Sequence, residues 1–196
     1  MHIFHGLHNF AASWLDVLRV QAHIFLAQLH HPTLKIQRPG VWRFDTHLAI
    51  KLGQDVVIGP YTEIVVYSRT RNSRVAGGLV CGDRVFIGAG SNIRAAGGTI
   101  SIGAHTMIGQ NVSIVAANHT VSSGNIYRDL EWNQEKTGVT IGSNCWIGAH
   151  SVLVPGVVIG SNSVIGAGSV VTKNVPDNEI WLGVPARFQA KITCPT

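Results

Sequence analysis

An aliphatic residue recurs at every sixth position over most of this chain. From Ile141 to Pro176 the frame runs without interruption, as IGSNCW, IGAHSV, LVPGVV, IGSNSV, IGAGSV and VTKNVP. The same frame fits residues 52–69, 81–98 and 102–119. Of these fifteen hexads, fourteen open with an aliphatic residue, and thirteen carry Val, Ser, Thr or Cys at the fifth position. Two positions per hexad are therefore expected to point inward.

A period of six fits neither a helix nor a plain alternating strand, and it indicates a repeat architecture. In every group of three hexads the second position reads Gly, Gly, other, so the repeating unit is eighteen residues. Glycine suits sharp turns, and β-branched residues suit stacked extended segments. The sequence predicts a three-sided parallel β-helix, here called the prism, with coils about one strand spacing apart, roughly 4.8 Å.

Interruptions of the frame fall at residues 70–80, 99–101 and 120–140, each time after the third hexad of a coil. All excursions are therefore expected to leave from one corner. We predict a prism over residues 46–176 with loops at 70–80 and 120–140, an N-terminal helical segment over 1–45 that caps it, and a short C-terminal extension over 177–196. The last loop is long enough to contain an irregular coil, and this alternative stays open.

The N-terminal segment has a helical period. Leu15, Leu18, Ala22, Phe25 and Leu29 form an apolar stripe, and the sequence predicts that the helix ends before Pro32. Polar and charged residues interrupt it too often for a membrane span. Two uses remain open: a lid over the exposed strand edges of the first coil, or a peripheral contact with a membrane surface.

Composition narrows the class of protein. The 196 residues are 45% hydrophobic, which suits one compact domain, and only 13% are charged, so we expect a homo-oligomer that covers part of the surface. The net charge of +5 favours anionic partners. The basic residues form no stripe interleaved with aromatic residues, which argues against nucleic acid as a partner. They are concentrated in the first loop, at Arg69, Arg71 and Arg74.

Cysteine usage does not require an oxidising compartment, and a cytoplasmic location is expected. Cys81 and Cys145 fall at inward positions of the repeat, and only Cys194 is expected to be exposed. Three N-terminal histidines lack acidic or cysteine companions, so no metal site is predicted from His2, His5 and His8.

Among the other histidines, His119 has the most informative position. It ends a coil where the longest loop departs, which predicts an imidazole in the groove between loop and prism. Trp146, an outward-pointing ring on the next coil, is predicted to form a pocket wall beside it. His105 and His150 occupy turn positions and are expected at the surface.

Several motifs together carry a family resemblance. They are Ala117-Asn118-His119, the long loop, Trp-Ile-Gly at 146–148, Val-Thr-Lys at 171–173 and Gly-Val-Pro-Ala-Arg at 183–187. The chain resembles the hexapeptide-repeat acyltransferases, above all the galactoside, maltose, nodulation-factor and polysaccharide O-acetyltransferases. The resemblance is strong over about residues 102–187 and weak before 52. It implies an all-β, left-handed prism and a homotrimer with active sites between subunits.

The resemblance also implies a reaction. His119 would be the general base that takes a proton from a sugar hydroxyl as this attacks the thioester of acetyl-CoA, without a metal or a covalent intermediate. Small side chains would leave room for the pantetheine arm, basic ones would meet phosphates, and Trp146 would lie near the thioester. The residues implied for coenzyme binding are Ala149, Ala167, Thr172, Lys173, Arg187 and Trp146.

The acceptor is less defined. Arg94 stands where galactoside enzymes tend to have Asn, and we take Arg94 and Asn92 as candidate acceptor residues. The arginines leave an acidic or polymeric glycan open. The group that orients His119 is expected to be a backbone carbonyl, or else Asp129, Glu131 or Glu135.

Three other functions fit a β-helix. An N-acyltransferase acting on an aminosugar nucleotide would need an added nucleotide-binding domain, for which the first fifty residues leave no room. A non-catalytic scaffold would need none of the His, Trp and Val-Thr-Lys motifs. A γ-class carbonic anhydrase would need three histidines converging on zinc, whereas His105, His119 and His150 do not occupy equivalent corners.

Overall fold

The computed structural model describes residues 2–193, with side chains from Leu15 onward. Cys194 and the side chains of His2, His5 and His8 lie outside the described part, so the expectations for them stay predictions.

One long helix, α1 (His2–His30), precedes a series of short strands. Two 3-10 helices lie at His47–Ala49 and Tyr127–Asp129. The strands, in chain order, are β1 (Lys35–Ile36), β2 (Val41–Phe44), β3 (Ile50–Leu52), β4 (Val57–Ile58), β5 (Glu63–Tyr67), β6 (Gly78–Cys81), β7 (Phe86–Ile87), β8 (Asn92–Ala96), β9 (Thr99–Ile102), β10 (Met107–Ile108), β11 (Ser113–Val115), β12 (Val139–Ile141), β13 (Trp146–Ile147), β14 (Val152–Leu153), β15 (Val158–Ile159), β16 (Val164–Ile165), β17 (Val170–Val171), β18 (Glu179–Gly183) and β19 (Ala186–Lys191).

The strands form the three faces of a left-handed parallel β-helix, as predicted. Sheet A contains β1, β4, β7, β10, β13, β16, β18 and β19; sheet B contains β2, β5, β8, β11, β14 and β17; sheet C contains β3, β6, β9, β12 and β15. Up to β17, neighbouring strands of a sheet are three apart in the chain, and all these pairs are parallel. At the end of sheet A, β18 pairs in parallel with β16 and forms an antiparallel hairpin with β19. We call the edges between faces the A/B, B/C and C/A corners.

The inward positions of the hexads are buried. Every residue that opens a hexad is buried except Leu52, which is half-buried. Of the thirteen fifth-position Val, Ser, Thr and Cys residues, twelve are buried, and Ser68 is partly exposed. Most of the inward hydroxyls donate to backbone carbonyls of the neighbouring coil, as when Thr106 Oγ1 donates to Gly142 O at 2.8 Å. The core is thus a stack of aliphatic ladders with satisfied small polar residues at the turns.

Corner glycines allow this stacking. A Cβ atom on Gly148 would collide with the backbone of Ala167 in the next coil. Real side chains cannot adopt such a contact, so the second position of these hexads must lack a Cβ.

All loops leave from the B/C corner, as the interruptions predicted. Their bounds differ from the predicted 70–80 and 120–140, because the sheet C strands β6 and β12 begin at Gly78 and Val139. Each of these strands buries an extra apolar residue two positions before its hexad begins, Leu79 and Val139 respectively. The loops therefore span residues 68–77 and 116–138, and the long loop contains a 3-10 helix but no additional coil.

The prism also begins earlier than the predicted boundary at residue 46. Strands β1 and β2 already pair in parallel with β4 and β5. This first coil has no hexads; it fills the core with Leu34, Trp42 and Phe44 instead of small and aliphatic residues. The absence of the repeat hid it from the sequence pattern. At the other end, β18 adds a further strand to sheet A beyond residue 176.

The helix ends at His30, before Pro32, but the predicted apolar face was wrong. Leu15, Leu18, Phe25 and Leu29 are each more than half exposed, while Ile24 and Ala27 are buried against the first coil. His23 fixes this orientation, because its Nδ1 hydrogen-bonds to Trp42 O at 3.0 Å and its ring stacks on Phe44. Over the described residues, no helix combines the length and the apolar character needed to cross a membrane.

Both described cysteines are core fillers, as predicted. Cys81 and Cys145 are buried, and burial raises the pKa of the Cys81 thiol to about 12. Such a thiol is protonated and unreactive at neutral pH.

We predict that Ile114→Ala lowers the free energy of unfolding by about 2–5 kcal/mol, because it opens a cavity in the middle of a ladder. Ile126, in the long loop, is 72% exposed. The matched variant Ile126→Ala should change the free energy of unfolding by less than about 0.5 kcal/mol. Urea unfolding followed by circular dichroism measures both; equal losses would contradict the ladder as the source of stability.

Candidate active site

His119 lies at the B/C corner, where the chain leaves sheet B for the long loop. The base of this loop is closed by main-chain hydrogen bonds: Asn133 N donates to Asn118 O at 2.9 Å, and Gly138 N donates to Ala116 O at 2.7 Å. His119 itself forms an antiparallel bridge with Trp132. The imidazole is thus carried by a rigid coil on one side and a closed loop on the other, and it remains exposed.

A backbone carbonyl orients the imidazole. His119 Nδ1 lies 2.9 Å from Tyr127 O. A carbonyl oxygen can only accept, so Nδ1 carries the proton, and Nε2 of the neutral ring keeps a free lone pair. Glu131, one of the acidic alternatives, instead lies 3.5 Å from Arg74. The expected carbonyl is therefore the partner, supplied by the 3-10 helix of the long loop.

Trp132 is the aromatic ring beside His119. The two ring centroids are 5.7 Å apart, with an interplanar angle of 66°. The indole lies over Gly97, where a Cβ atom would collide with the ring and where φ is +67°. Gly97 therefore serves two requirements at once, a left-handed turn and a flat seat for the tryptophan.

The short loop holds the long loop in place. Asn72 Nδ2 donates to Arg128 O at 3.1 Å and to Leu130 O at 2.8 Å, while Trp132 N donates to Asn72 O at 2.8 Å. These bonds link residues more than fifty positions apart in the chain. The two loops thus form one wall above sheet B.

Two cavities meet at His119. The first, of about 590 Å³, lies over sheet B and is lined by Val65, Tyr67, Arg69, Thr70, Arg94, Ala96, Val115, Ala117, His119 and Trp132. The second, of about 530 Å³, continues along the same corner and is lined by Asn118, His119, Thr120, Val121, Asn133, Lys136, Val154, Pro155 and Thr172. A side chain shared by two cavities can contact two different substrates at once.

Apart from Trp146, the predicted coenzyme residues lie at three places on the prism. Thr172 lines the second cavity, and Lys173 follows it at the B/C corner. Ala149 and Ala167 lie at the A/B corner, on consecutive coils. Arg187 lies on β19, at the edge of sheet A. One chain therefore presents these groups on different sides of the prism.

Trp146 also lies apart from His119. It is on sheet A, between Met107 and Val164 of the adjacent strands, and is 55% exposed. The prediction that it walls a pocket beside His119 was therefore wrong within one protomer, because the hexad frame did not indicate which face each ring would occupy.

Only one of the two candidate acceptor residues lines the first cavity. Arg94 lines the first cavity, whereas Asn92 does not. The Asn92 amide donates to Glu63 Oε2, which also accepts from Arg94 Nη2 at 3.2 Å. Asn92 thus helps to fix the carboxylate that holds Arg94.

His105 and His150 are exposed turn residues, as predicted. His105 lies at the C/A corner and His150 at the A/B corner, while His119 lies at the B/C corner. Three histidines on three different corners do not converge within a protomer.

Sequence reasoning missed Tyr67, Trp132 and Lys136, and it expected a carbonyl beside His119 without identifying Tyr127 as the residue that supplies it. The residues in the long loop lie outside any repeat, so the hexad frame gave no direction for their side chains. The pair Gly97-Gly98 was the one available signal, since paired glycines at a corner indicate a close neighbour.

Comparison with known proteins places the chain in a family. Residues 138–173 match the model described as bacterial transferase hexapeptide (six repeats). WcaF of Escherichia coli (strain K12), a protein assigned as a colanic acid biosynthesis acetyltransferase, is 32% identical over 136 residues, which cover 69% of this chain and 66% of that protein. The chain belongs to the hexapeptide-repeat transferases.

Two further relatives of this hexapeptide-repeat transferase are galactoside O-acetyltransferases. Those of Lactococcus lactis (strain IL1403) and Escherichia coli (strain K12) are both 46% identical, over 47% and 48% of this chain. The match spans less than half of the length of either relative, 44% and 45%.

Solved structures share the fold of this hexapeptide-repeat transferase. The N-acyltransferase AntD from Bacillus cereus, solved with a dTDP-aminosugar and coenzyme A, superposes with a TM-score of 0.68 at 21% identity, covering 83% of this chain and 82% of AntD. The polysialic acid-specific acetyltransferase NeuO superposes with a TM-score of 0.53 at 24% identity, covering 84% and 90%. At these identities the likeness is one of fold.

We predict that neutral His119 is the Nδ1–H tautomer, because Tyr127 O accepts from Nδ1. Long-range ¹H–¹⁵N correlation of ¹⁵N-histidine protein above neutral pH should show an unprotonated Nε2 for the resonance that disappears in His119→Asn. A resonance with the proton on Nε2 would contradict the assigned geometry.

Proposed function

We propose that this protein is an O-acetyltransferase that transfers an acetyl group from acetyl-CoA to a hydroxyl of a carbohydrate. The observation that carries the proposal is that one oriented imidazole, His119, lines two adjacent cavities. A direct transfer requires this arrangement, since acceptor and thioester must meet at one base. The names of the galactoside O-acetyltransferases, at 46% identity, support an oxygen acceptor.

The proposed step uses the free lone pair of His119. Nε2 takes the proton of the acceptor hydroxyl as its oxygen attacks the thioester carbonyl carbon. The tetrahedral adduct collapses, the carbon–sulfur bond breaks, and the departing thiolate takes the proton from the imidazolium. The products are the acetyl ester and CoA with a free thiol. Tyr127 O stabilises the imidazolium through Nδ1–H in the intermediate state.

The second cavity is assigned to the coenzyme. Thr172 and Lys136 line it, and Lys173 is adjacent. Lys136 adds a positive charge that suits the phosphates of CoA. The apolar contacts of Val154 and Pro155 suit the pantetheine arm. The first cavity, over sheet B, is left for the acceptor.

We further propose that a second subunit completes the coenzyme site. The partner subunit's Ala149 and Ala167, with the partner subunit's Trp146, would face the cavity that contains Thr172. Phe86, Met107 and Trp146 support this assembly, since they pair side by side on sheet A and are 40%, 51% and 55% exposed. Such an apolar ladder is typical of a subunit interface. Repetition of this heterologous contact gives a closed ring, and a trimer is proposed.

We predict that His119→Asn lowers kcat for acetyl transfer by about 10²- to 10⁴-fold, because Asn keeps a donor for Tyr127 O but cannot take a proton. KM for acetyl-CoA should stay close to that of the wild type. His105→Asn, on another corner, is the matched control and should retain full activity. Lys173→Ala should instead raise KM for acetyl-CoA. Release of the CoA thiol measures all three; wild-type turnover by His119→Asn would refute the role of the base.

Subunit mixing tests the shared site. His119→Ala and Ala167→Trp subunits should each be inactive alone, the second because an indole fills the channel. Mixed trimers refolded at equal amounts should regain about a quarter of the wild-type sites, where an intact His119 meets an intact partner corner. No recovery in mixtures that size-exclusion chromatography shows to be mixed trimers would place the whole site in one chain.

A further inference from the structure

The first cavity has an unusual charge balance for a sugar site. Its charged lining residues are Arg69 and Arg94, which lie beside the imidazole of His119, and none of its described lining residues is acidic. A neutral sugar presents many hydroxyl donors, which sites usually satisfy with carboxylate or amide acceptors. Here Thr70 contributes the single side-chain hydroxyl apart from that of Tyr67. The lining thus provides more positively charged donors than charged acceptors.

Arg94 is held in place at the floor of the cavity. On sheet B it lies between Val65 of β5 and Val115 of β11, in a row that points outward. Glu63 Oε2 accepts one hydrogen bond from Arg94 Nη2, and the arginine side chain remains 48% exposed. A guanidinium has five N–H donors, so most of them stay available to a ligand. An exposed pair of this kind contributes at most about 1 kcal/mol to stability, which leaves stability a weak reason for its presence.

Arg69 lines the cavity, and Asp45 holds the main chain on which it lies. Asp45 Oδ1 accepts from Ser68 N at 2.9 Å, and Asp45 Oδ2 accepts from Ser68 Oγ at 2.7 Å and from Arg69 N at 3.2 Å. Partial burial disfavours the charged carboxylate, but these bonds outweigh it and hold the pKa of Asp45 below its ordinary value. The carboxylate thus accepts hydrogen bonds from two main-chain N–H groups and from the Ser68 hydroxyl. Over the described residues, the Arg69 guanidinium forms no hydrogen bond or ion pair.

The remaining walls suit the body of a sugar ring. Trp132 and Tyr67 supply aromatic surfaces, and Val65, Val115 and Ala96 supply an apolar floor. Aromatic rings pack well against the C–H faces of amphipathic ligands. Arginine, in turn, binds planar carboxylates and phosphates with two parallel hydrogen bonds.

We infer that the acceptor is an acidic glycan, whose carboxylate or phosphate group binds Arg94 and Arg69 while the sugar ring packs against Trp132. This inference rests on the proposed function, since it assigns the first cavity to the acceptor. A hydroxyl of the same sugar, on the side away from the anionic group, then faces His119 Nε2. The substrate class is defined by a negative charge beside the acetylated ring.

The experiment compares matched acceptors. A uronic acid oligosaccharide, the same oligosaccharide after carboxyl reduction, and a neutral oligosaccharide carrying one phosphate are each offered with acetyl-CoA. We expect kcat/KM to be about 10- to 100-fold higher for at least one anionic acceptor than for the reduced one, the size of a charge-assisted hydrogen bond. Comparison of the uronic acid acceptor with the phosphate acceptor shows whether the site prefers a carboxylate or a phosphate. Equal rates for reduced and anionic acceptors would overturn the inference.

Substitutions of the two arginines test whether they are the source of the preference for an anionic acceptor. Arg94→Gln and Arg69→Gln should each remove most of the preference for the anionic acceptor and leave KM for acetyl-CoA unchanged. Arg71→Gln, in the same loop but outside the cavity lining, is the matched control and should keep the preference. Arg69→Gln breaks no side-chain bond, so it remains informative if Arg94→Gln folds poorly. A rise in KM for acetyl-CoA, with the acceptor preference intact, would assign the arginines to the coenzyme and overturn the inference.

A binding measurement on an inactive variant tests this inference independently of the proposed function. His119→Asn protein is titrated calorimetrically with the uronic acid oligosaccharide and its reduced form, without acetyl-CoA. Tighter binding of the anionic form, lost in the His119→Asn, Arg69→Gln double variant, supports the acidic acceptor even if no acetyl transfer is detected with any sugar. Equal binding of both forms overturns it even if the transfer reaction is confirmed.

Discussion

The structure depends on the hydrogen bonding of each coil to the coils before and after it. Sheets A, B and C are ladders of two- to six-residue strands, and within the parallel β-helix the strands of one coil pair only with strands of neighbouring coils. Such a stack requires close approach at the corners, which is why Gly148 and its equivalents lack a Cβ. It also forces any insertion to leave at a corner and return to the same corner. The position of His119 beside a loop follows from this restriction.

The regular part of this architecture could be read from the sequence, because each hexad has two inward positions and a turn. Cys145 and Ser151 were correctly expected inside, and the excursions at one corner were recognised from their place after the third hexad. The first coil was missed because Trp42 and Phe44 fill its core without a repeat. The helix face was missed because the most regular apolar stripe was expected to be the buried one. The contacts of His23 with Trp42 and Phe44 instead turn Ile24 and Ala27 towards the prism.

The candidate site was only half accessible to the same reasoning. His119 could be singled out because it marks the end of a coil, and Arg94 because it stands where the galactoside enzymes that the chain resembles tend to have Asn. Trp132 and Tyr127 could not, since loop residues have no period and their directions depend on tertiary contacts. Trp146 shows the complementary error: its exposure was correctly inferred, but exposure alone does not indicate which face of the prism a residue occupies.

The bonds of Asn72 have a consequence for how acceptor preference can change. This side chain fastens the excursion at 68–77 to the one at 116–138, and Arg74 adds a contact with Glu131. Each segment therefore depends on the other for part of its hydrogen bonding. If one segment were replaced by the corresponding segment of a relative, Trp132 N would lose its hydrogen bond to Asn72 O. The two segments are therefore expected to change together. Divergence of specificity on this scaffold should then proceed by coordinated replacement of both segments, while the coils beneath stay the same.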